Sequence, residues 1–376
     1  MHRETLHPPP HLRRLLDVLQ APQRCIECDA PAWDRLIRTA RSARLLGTLA
    51  ARVAAVLPIE QLDPAVGRHL RAGLVEAQFR RQKVQYLLSA VERHVASGGV
   101  PCVLLKGAAY IAQGLVIADG RLPADVDVMV PRAALDATEQ SLLAAGWQYE
   151  KLAPYDQRYY RDWSHELAPL RSPGQALELD LHHTILPPLG RLKPDTEALF
   201  RAAVPIAGTP FSVLAPADQT LLAAAHLFHD SDCTDRLRDL VDIDALLRAF
   251  ATADAGFWHQ LDARARLHHL GRPLWYAVTF ARAWLGTPIP DAAAAAIDAF
   301  RPSRATASLV TALVERTLPP IDPDREPTRA RRWASQLLLA RATWLRMPPW
   351  LVVRHTLHKI VQALLPRARA ADARAA

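Results

Sequence analysis

Four cysteines in 376 residues are too few for a disulfide framework and point to a reducing compartment. No stretch reaches the ~18 uninterrupted apolar residues of a membrane-spanning helix. Met1-His2-Arg3-Glu4 leads into Pro8-Pro9-Pro10 rather than an apolar run, so no secretory signal is visible. The expected location is cytoplasmic. No motif recurs at about 20 to 50 residues, which excludes a solenoid. Acidic residues are nearly missing from one end: residues 329–376 carry ten Lys/Arg against one Asp, a charge of +9, while the whole chain carries +8. The first 328 residues therefore sum to about −1, and a basic groove along the whole protein is excluded. What basic surface there is lies at the C-terminal end, where it could meet a polyanion or an anionic membrane surface.

What is present is the balance of a folded globular chain: half of the residues are hydrophobic and 22% are charged. At about 100 to 200 residues per domain, the length allows two or three domains. Residues 31–98 show apolar positions at three- and four-residue spacing, with few strand signals, and a long helix is expected over 64–97, ended by Gly98-Gly99. The pattern then changes. Residues 100–105 form a short apolar run ending at Lys106-Gly107, a buried strand that feeds a turn and a helix over 108–115. Val126, Val128 and Val130 alternate with Asp125, Asp127 and Met129, a strand entered from Pro123 and closed by Pro131. A helix over 133–145, a strand-like stretch from Trp147, and a hairpin of 165–171 with 176–183 complete a mixed segment. Helices return from Pro216. Pro319, Pro320, Pro323 and Pro327 mark a linker before two amphipathic helices, 330–345 and 350–364. The expected class is α+β, in four regions: helical 1–98, an α/β core 99–215, helical 216–320, and a linker with a basic helical tail, 321–376.

The most informative feature is Asp125-Val126-Asp127 on its strand. Residues i and i+2 of a strand project from one face, so both carboxylates can reach one divalent cation, whereas on a helix they stand roughly 200° apart. Hard oxygen ligands suit Mg²⁺. Two more elements give the pair a context. Lys106-Gly107 sits between a buried strand and a helix, where glycine admits close approach of a ligand to the backbone and free amides face an anion. In Glu178-Leu179-Asp180-Leu181-His182 the leucines take one face, and Glu178, Asp180 and His182 share the other. A third carboxylate beside the first two would complete a two-metal site.

The order of these motifs resembles a bacterial family of poorly characterised nucleotidyltransferases within the polymerase-β-like superfamily. It is carried by Val103-Leu104-Leu105-Lys106-Gly107, by Gly120-Arg121-Leu122-Pro123-Ala124-Asp125-Val126-Asp127-Val128-Met129-Val130, and by Glu178-Leu179-Asp180-Leu181-His182. The helical lead-in, Ala225-His226-Leu227 and Leu240-Val241-Asp242-Ile243-Asp244 look similar too, so the resemblance spans most of the chain. It implies a small mixed-sheet nucleotidyltransferase core flanked by helical regions. Asp125, Asp127 and Asp180 would bind Mg²⁺, and Lys106, Gly107, Ala108 and Arg121 would hold the triphosphate of ATP or another NTP. Two departures from the pattern are visible: Ala108 follows Gly107 where the family has Ser, and Gly107 lies 18 residues before Asp125, longer than usual.

The reaction implied is transfer of a nucleoside monophosphate from NTP to an acceptor hydroxyl with release of pyrophosphate, the acceptor being a small molecule, sugar, protein side chain or RNA end. Glu178 would orient Asp180 or support it as a base. The competing expectation is a catalytically weak or inactive protein of this fold that acts as a binding module, with Ala108 as its support. Other signals are weaker. Cys25-Ile26-Glu27-Cys28 lacks two further ligands for zinc. His226 and His229 fit structural roles. Asp242 and Asp244, on a helix, face apart and suit caps or ion pairs. Trp333, Trp344 and Trp350 among arginines suggest a membrane-surface stripe or a packed helical face.

Overall fold

A computed structural model of the chain describes residues 6–149, 154–174 and 177–364. Gln175 and Ala176 of the expected hairpin, and the basic segment 365–376, lie outside the described residues.

The N-terminal helices start where sequence chemistry starts them. Asp29 and Asp63 cap Ala30–Ser42 and Pro64–His94 by accepting from backbone amides two or three residues on, and each helix places proline in its first turn. Pro64–His94 runs 31 residues, about 46 Å at 1.5 Å per residue. It ends three residues earlier than its apolar pattern extends, because Ala96–Gly98 tightens into a 3₁₀ turn and Gly99 takes the left-handed conformation. The lead-in is locked to the core by a backbone contact between glycines. A Cβ on Gly47 would stand 2.2 Å from the Gly120 carbonyl oxygen, and Gly120 itself has φ +75°.

Among the described residues seven strands form one mixed sheet: β1 Cys102–Leu104, β2 Asp125–Met129, β3 Gln148–Tyr149, β4 Leu170–Arg171, β5 Glu178–His182, β6 Val204–Pro205 and β7 Phe211–Val213, in the order β3-β4-β5-β2-β1-β7-β6. Central β2 pairs antiparallel with β1 and parallel with β5, and β1 pairs parallel with β7. On one face Val126, Val128, Leu179 and Leu181 are fully buried. At about 1.5 to 3 kcal/mol for each buried aliphatic side chain, this packing fixes the register, since a one-residue slip would turn all four outward. The other face carries the polar residues.

Helices frame the sheet on the N- and C-terminal sides, and one cluster of buried apolar residues runs from Leu12 to Leu338. Two elements lie outside the sequence expectation. Helix Pro154–Trp163 places Tyr155, Tyr159 and Trp163 in an aromatic contact group, and β6 with β7 extends the sheet beyond β1. The first C-terminal helix, Arg329–Arg346, is docked rather than free. Leu338 joins the main core, and Arg331 donates to Asp235 at 2.8 Å. Among the described residues no helix is long and apolar enough to cross a membrane.

Candidate active site

The register of β2 against β5 builds the polar face. Asp125 stands opposite Glu178, Asp127 opposite Asp180, and Met129 opposite His182. The i, i+2 spacing then puts Asp125, Asp127, Glu178, Asp180 and His182 on one side of two neighbouring strands. The structure thus brings Asp127 and Asp180 side by side, with Asp125 one step along the strand.

Lys106 follows β1 with φ +45°, a strained conformation for a residue with a side chain. Its Nζ donates to Asp127 Oδ1 at 2.8 Å, and His182 Nε2 lies 3.0 Å from the same oxygen. Burial alone would push the Asp127 carboxyl up, but these two cationic partners outweigh it and hold it well below the usual range. Burial would lower the Lys106 ammonium, yet Asp127, Glu166 and Asp125 around it raise it instead. The other two aspartates go the opposite way. Burial and then the Asp127 charge raise Asp125. Burial, Asp127 and Glu166 push Asp180 up to about 8, and Asp180 Oδ1 is buried with no hydrogen-bond partner. The site therefore holds one carboxylate neutralised by two direct partners, Asp125 offset through the fields of Lys106, Arg121 and Arg238, and Asp180 with no hydrogen-bond partner at Oδ1.

The positions expected to hold phosphate are distributed differently. A Cβ on Gly107 would stand 2.3 Å from the Arg121 guanidinium, so glycine at 107 makes room for that side chain. Arg121 is buried, donates through Nε to Asp242 Oδ2 at 3.0 Å, and lies over the Tyr110 ring. Its positive charge still reaches Asp125 and favours the ionised form there. Ala108 is buried in helix Lys106–Ala112. Glu178 is held by Arg171, whose Nε donates at 2.9 Å. Asp242 and Asp244 do face apart, since Asp244 accepts from Arg248 at 2.7 Å and from Thr287 at 2.7 Å.

Sequence reasoning did not single out Glu166, His165 or Arg238. Glu166 Oε2 lies 3.2 Å from His182 Nε2 and 3.7 Å from His165 Nε2, and Glu166 bridges to His182 across the sheet edge. The hairpin of 165–171 with 176–183 was the available signal, because it placed both residues beside the strand of Asp180. Arg238 donates to the Leu122 carbonyl at 3.1 Å and lowers the Asp125 carboxyl from the side of Arg121. A cavity of about 380 Å³ lies between helix Pro154–Trp163 and the strand edge, lined among others by Tyr149, Tyr160, Leu167 and Ala168. Tyr160, pushed up to about 12 by burial and by Glu166 and Asp180, links it to the carboxylates.

A mixed sheet that pairs carboxylates on adjacent strands within a frame of helices is an α+β architecture consistent with a nucleotidyltransferase fold. The chain belongs to the family described as uncharacterised nucleotidyltransferase, whose model matches residues 29–286. No curated protein and no solved structure matches it.

Proposed function

We propose that the protein is a Mg²⁺-dependent nucleotidyltransferase that moves a nucleoside monophosphate from NTP to an acceptor hydroxyl. The observation that carries this reading is the placement of Asp125, Asp127 and Asp180 on one sheet face by the β2–β5 register, with Asp180 Oδ1 buried and unpartnered; the three carboxylates do not all close to within 4.8 Å of one another. An all-oxygen donor set that includes the unpartnered Asp180 Oδ1 fits Mg²⁺, and Asp125, Asp127 and Asp180 would hold it. Bound there, Mg²⁺ supplies charge neutralisation for the triphosphate and polarises the acceptor oxygen.

The chain's own groups do the positioning. Lys106 fixes Asp127 through Oδ1 and adds a buried positive charge beside the triphosphate. Gly107 and Ala108, in the first turn of their helix, turn backbone amides toward the phosphates, and Arg121 contributes through its field at Asp125. Asp180 Oδ1 accepts a hydrogen bond from the acceptor hydroxyl, orients its oxygen toward the α-phosphorus and takes its proton as the new P–O bond forms and the bond to pyrophosphate breaks. Glu178, fixed by Arg171, holds the strand end that carries Asp180.

The alternative, a catalytically weak or inactive member acting as a binding module, draws on one specific feature: Lys106 and His182 already neutralise Asp127 Oδ1. Calorimetric titration with MgATP and MgGTP separates the two. Nucleotide binding that needs Mg²⁺ and is lost in Asp125→Asn supports the enzyme. Binding by the parent and Asp125→Asn alike, without Mg²⁺ dependence, removes the metal assignment.

A further inference from the structure

His165 and Glu166 have no part in the nucleotidyl-transfer reading, and with His182, which also contacts Asp127, they form a cluster of their own. Their backbones are pinned by sheet pairing: His183 N donates to the His165 carbonyl at 2.9 Å, and Leu167 N to the Leu181 carbonyl at 2.9 Å. One oxygen, Glu166 Oε2, lies 3.2 Å from His182 Nε2 and 3.7 Å from His165 Nε2. One ligand atom from each of the three residues falls within 4.8 Å of the other two. Donors about 2.0 to 2.1 Å from a tetrahedral ion stand about 3.3 Å apart, and the distances to the Glu166 oxygen bracket that value.

The cluster is also poorly satisfied by the protein alone. His182 is 1% exposed, its Nδ1 has no partner, and its Nε2 must serve both Glu166 and Asp127. A single N–H cannot serve two carboxylates well. Two imidazoles and a carboxylate are a poor set for Mg²⁺ and a good one for Zn²⁺ or Mn²⁺. We propose that His165, Glu166 and His182 form a second cation centre, selective for a borderline transition-metal dication, with Asp127 Oδ1 on its border with the three aspartates.

The proposal goes beyond the nucleotidyl-transfer reading and stands whether or not NTP is a substrate. The test is direct nitrogen coordination in the full-length protein. With Mn²⁺ added at one equivalent and no nucleotide, pulsed electron paramagnetic resonance should show ¹⁴N modulation from imidazole. That signal should weaken or vanish in His165→Ala. Zn²⁺ affinity by equilibrium dialysis should fall at least about tenfold in His165→Ala and Glu166→Gln, since loss of an outer-shell partner alone costs about 10- to 100-fold. It should persist in Asp125→Asn. Circular dichroism confirms that each variant is folded, and the parent's ¹⁴N signal needs no variant. Bound Mn²⁺ without nitrogen modulation overturns the proposal, as does Zn²⁺ affinity unchanged in a folded His165→Ala. Failure of NTP binding with the nitrogen signal intact removes only the transferase reading.

A separate observation lies at the C-terminal end. Helix Arg329–Arg346 presents Trp333, Leu337 and Trp344 at spacings of four and seven, 70%, 53% and 49% exposed. Helix Pro349–Leu364 packs Leu351 and the edge of the Trp350 ring against the Trp163 group and leaves Val353, Leu357 and Ile360 bare. Residues 329–364 hold seven Lys/Arg and no acidic residue. A second copy would bring a second +7 to the contact, which like-charge repulsion opposes. RNA would leave the aliphatic positions uncovered. Arg331, Arg341 and Arg346 are engaged by Asp235, the Phe228 carbonyl and Asp230, which leaves Arg329, Arg332 and Arg354 for a partner. We infer that these stripes lie on an anionic lipid surface, with Trp333 at headgroup level and those three arginines toward the lipid phosphates.

Vesicles of phosphatidylcholine with and without phosphatidylglycerol decide it. The full chain should sediment with the anionic vesicles, with a blue shift of tryptophan fluorescence, and should lose about tenfold or more of that binding in Leu337→Asp/Val353→Asp. No binding to anionic vesicles overturns the proposal. So does concentration-dependent dimerisation that the same double substitution abolishes.

Discussion

Asp180→Asn should make the protein more stable, by an amount that grows with pH. The Asp180 carboxyl is pushed up to about 8, first by burial and then by Asp127 and Glu166, and its Oδ1 has no partner. A carboxyl whose folded pKa lies above its unfolded value keeps a proton that the unfolded chain has shed. The folded state therefore loses stability as pH rises from about 4 through about 8. Each unit in that window costs about 1.4 kcal/mol, or several kcal/mol across it. Asparagine has almost the same volume and no charge to desolvate, so the variant escapes the loss. Denaturant unfolding in EDTA between about pH 5 and about pH 9 should show the variant's midpoint pulling ahead of the parent's up to about pH 8, then holding a constant lead. Mg²⁺ favours the ionised carboxylate and should flatten the parent's pH dependence while leaving the variant's unchanged. Parallel curves for parent and variant, with or without Mg²⁺, would refute the reasoning and with it the uncompensated third carboxylate.

Asp125→Asn and Asp127→Asn should each remove Mg²⁺-dependent NTP binding, read by calorimetry, because each loses a formal charge at little change in volume; Asp127→Asn should also lower stability, because it leaves buried Lys106 without its carboxylate. Gly107→Ala should destabilise the protein by about 1 to 3 kcal/mol, because a methyl group at 107 overpacks against the buried Arg121 guanidinium, whose end must shift and strain its pair with Asp242. A loss below about 1 kcal/mol in denaturant unfolding would contradict that packing role. Lys106→Met should leave Asp127 with one cationic partner instead of two, raising its carboxyl toward the ordinary range and weakening MgNTP binding. The Asp127 titration, followed by carbon-detected NMR, checks the first effect.

The strands that carry chemistry were legible because period-2 alternation survives in Asp125–Met129 and Glu178–His182 even where both faces are covered. Proline and glycine punctuation isolated them from the helices. The register was not legible. Opposing Asp127 to Asp180 depends on a parallel pairing across 53 positions, decided by Val126, Val128, Leu179 and Leu181 packing together. The partnership of Arg121 with Asp242 joins residues 121 positions apart, and no local pattern announces it. That pairing gives Gly107 a packing role as well as the turn role its position suggested. Helix Pro154–Trp163 escaped notice because its stripe is aromatic and sparse, Tyr155, Tyr159 and Trp163, amid polar residues. Strands β6 and β7 have two and three residues, too short for alternation to show. Glu166 lay on a strand already expected, yet its place beside His182 follows only from a bridge across the sheet edge.

Transfer of label from α-³²P NTP to an acceptor is the most direct test of the central claim. The full chain is incubated with each labelled nucleotide, Mg²⁺ and an extract containing small molecules, sugars, proteins and RNA, beside Asp125→Asn, Asp127→Asn and Asp180→Asn. The account predicts a labelled product and released pyrophosphate with the parent, with all three variants silent. Asp180→Asn should still bind MgNTP, because Asp125 and Asp127 remain. Label transfer that persists undiminished in Asp180→Asn, or a parent that transfers no label and binds MgNTP no better than Asp127→Asn, would contradict it.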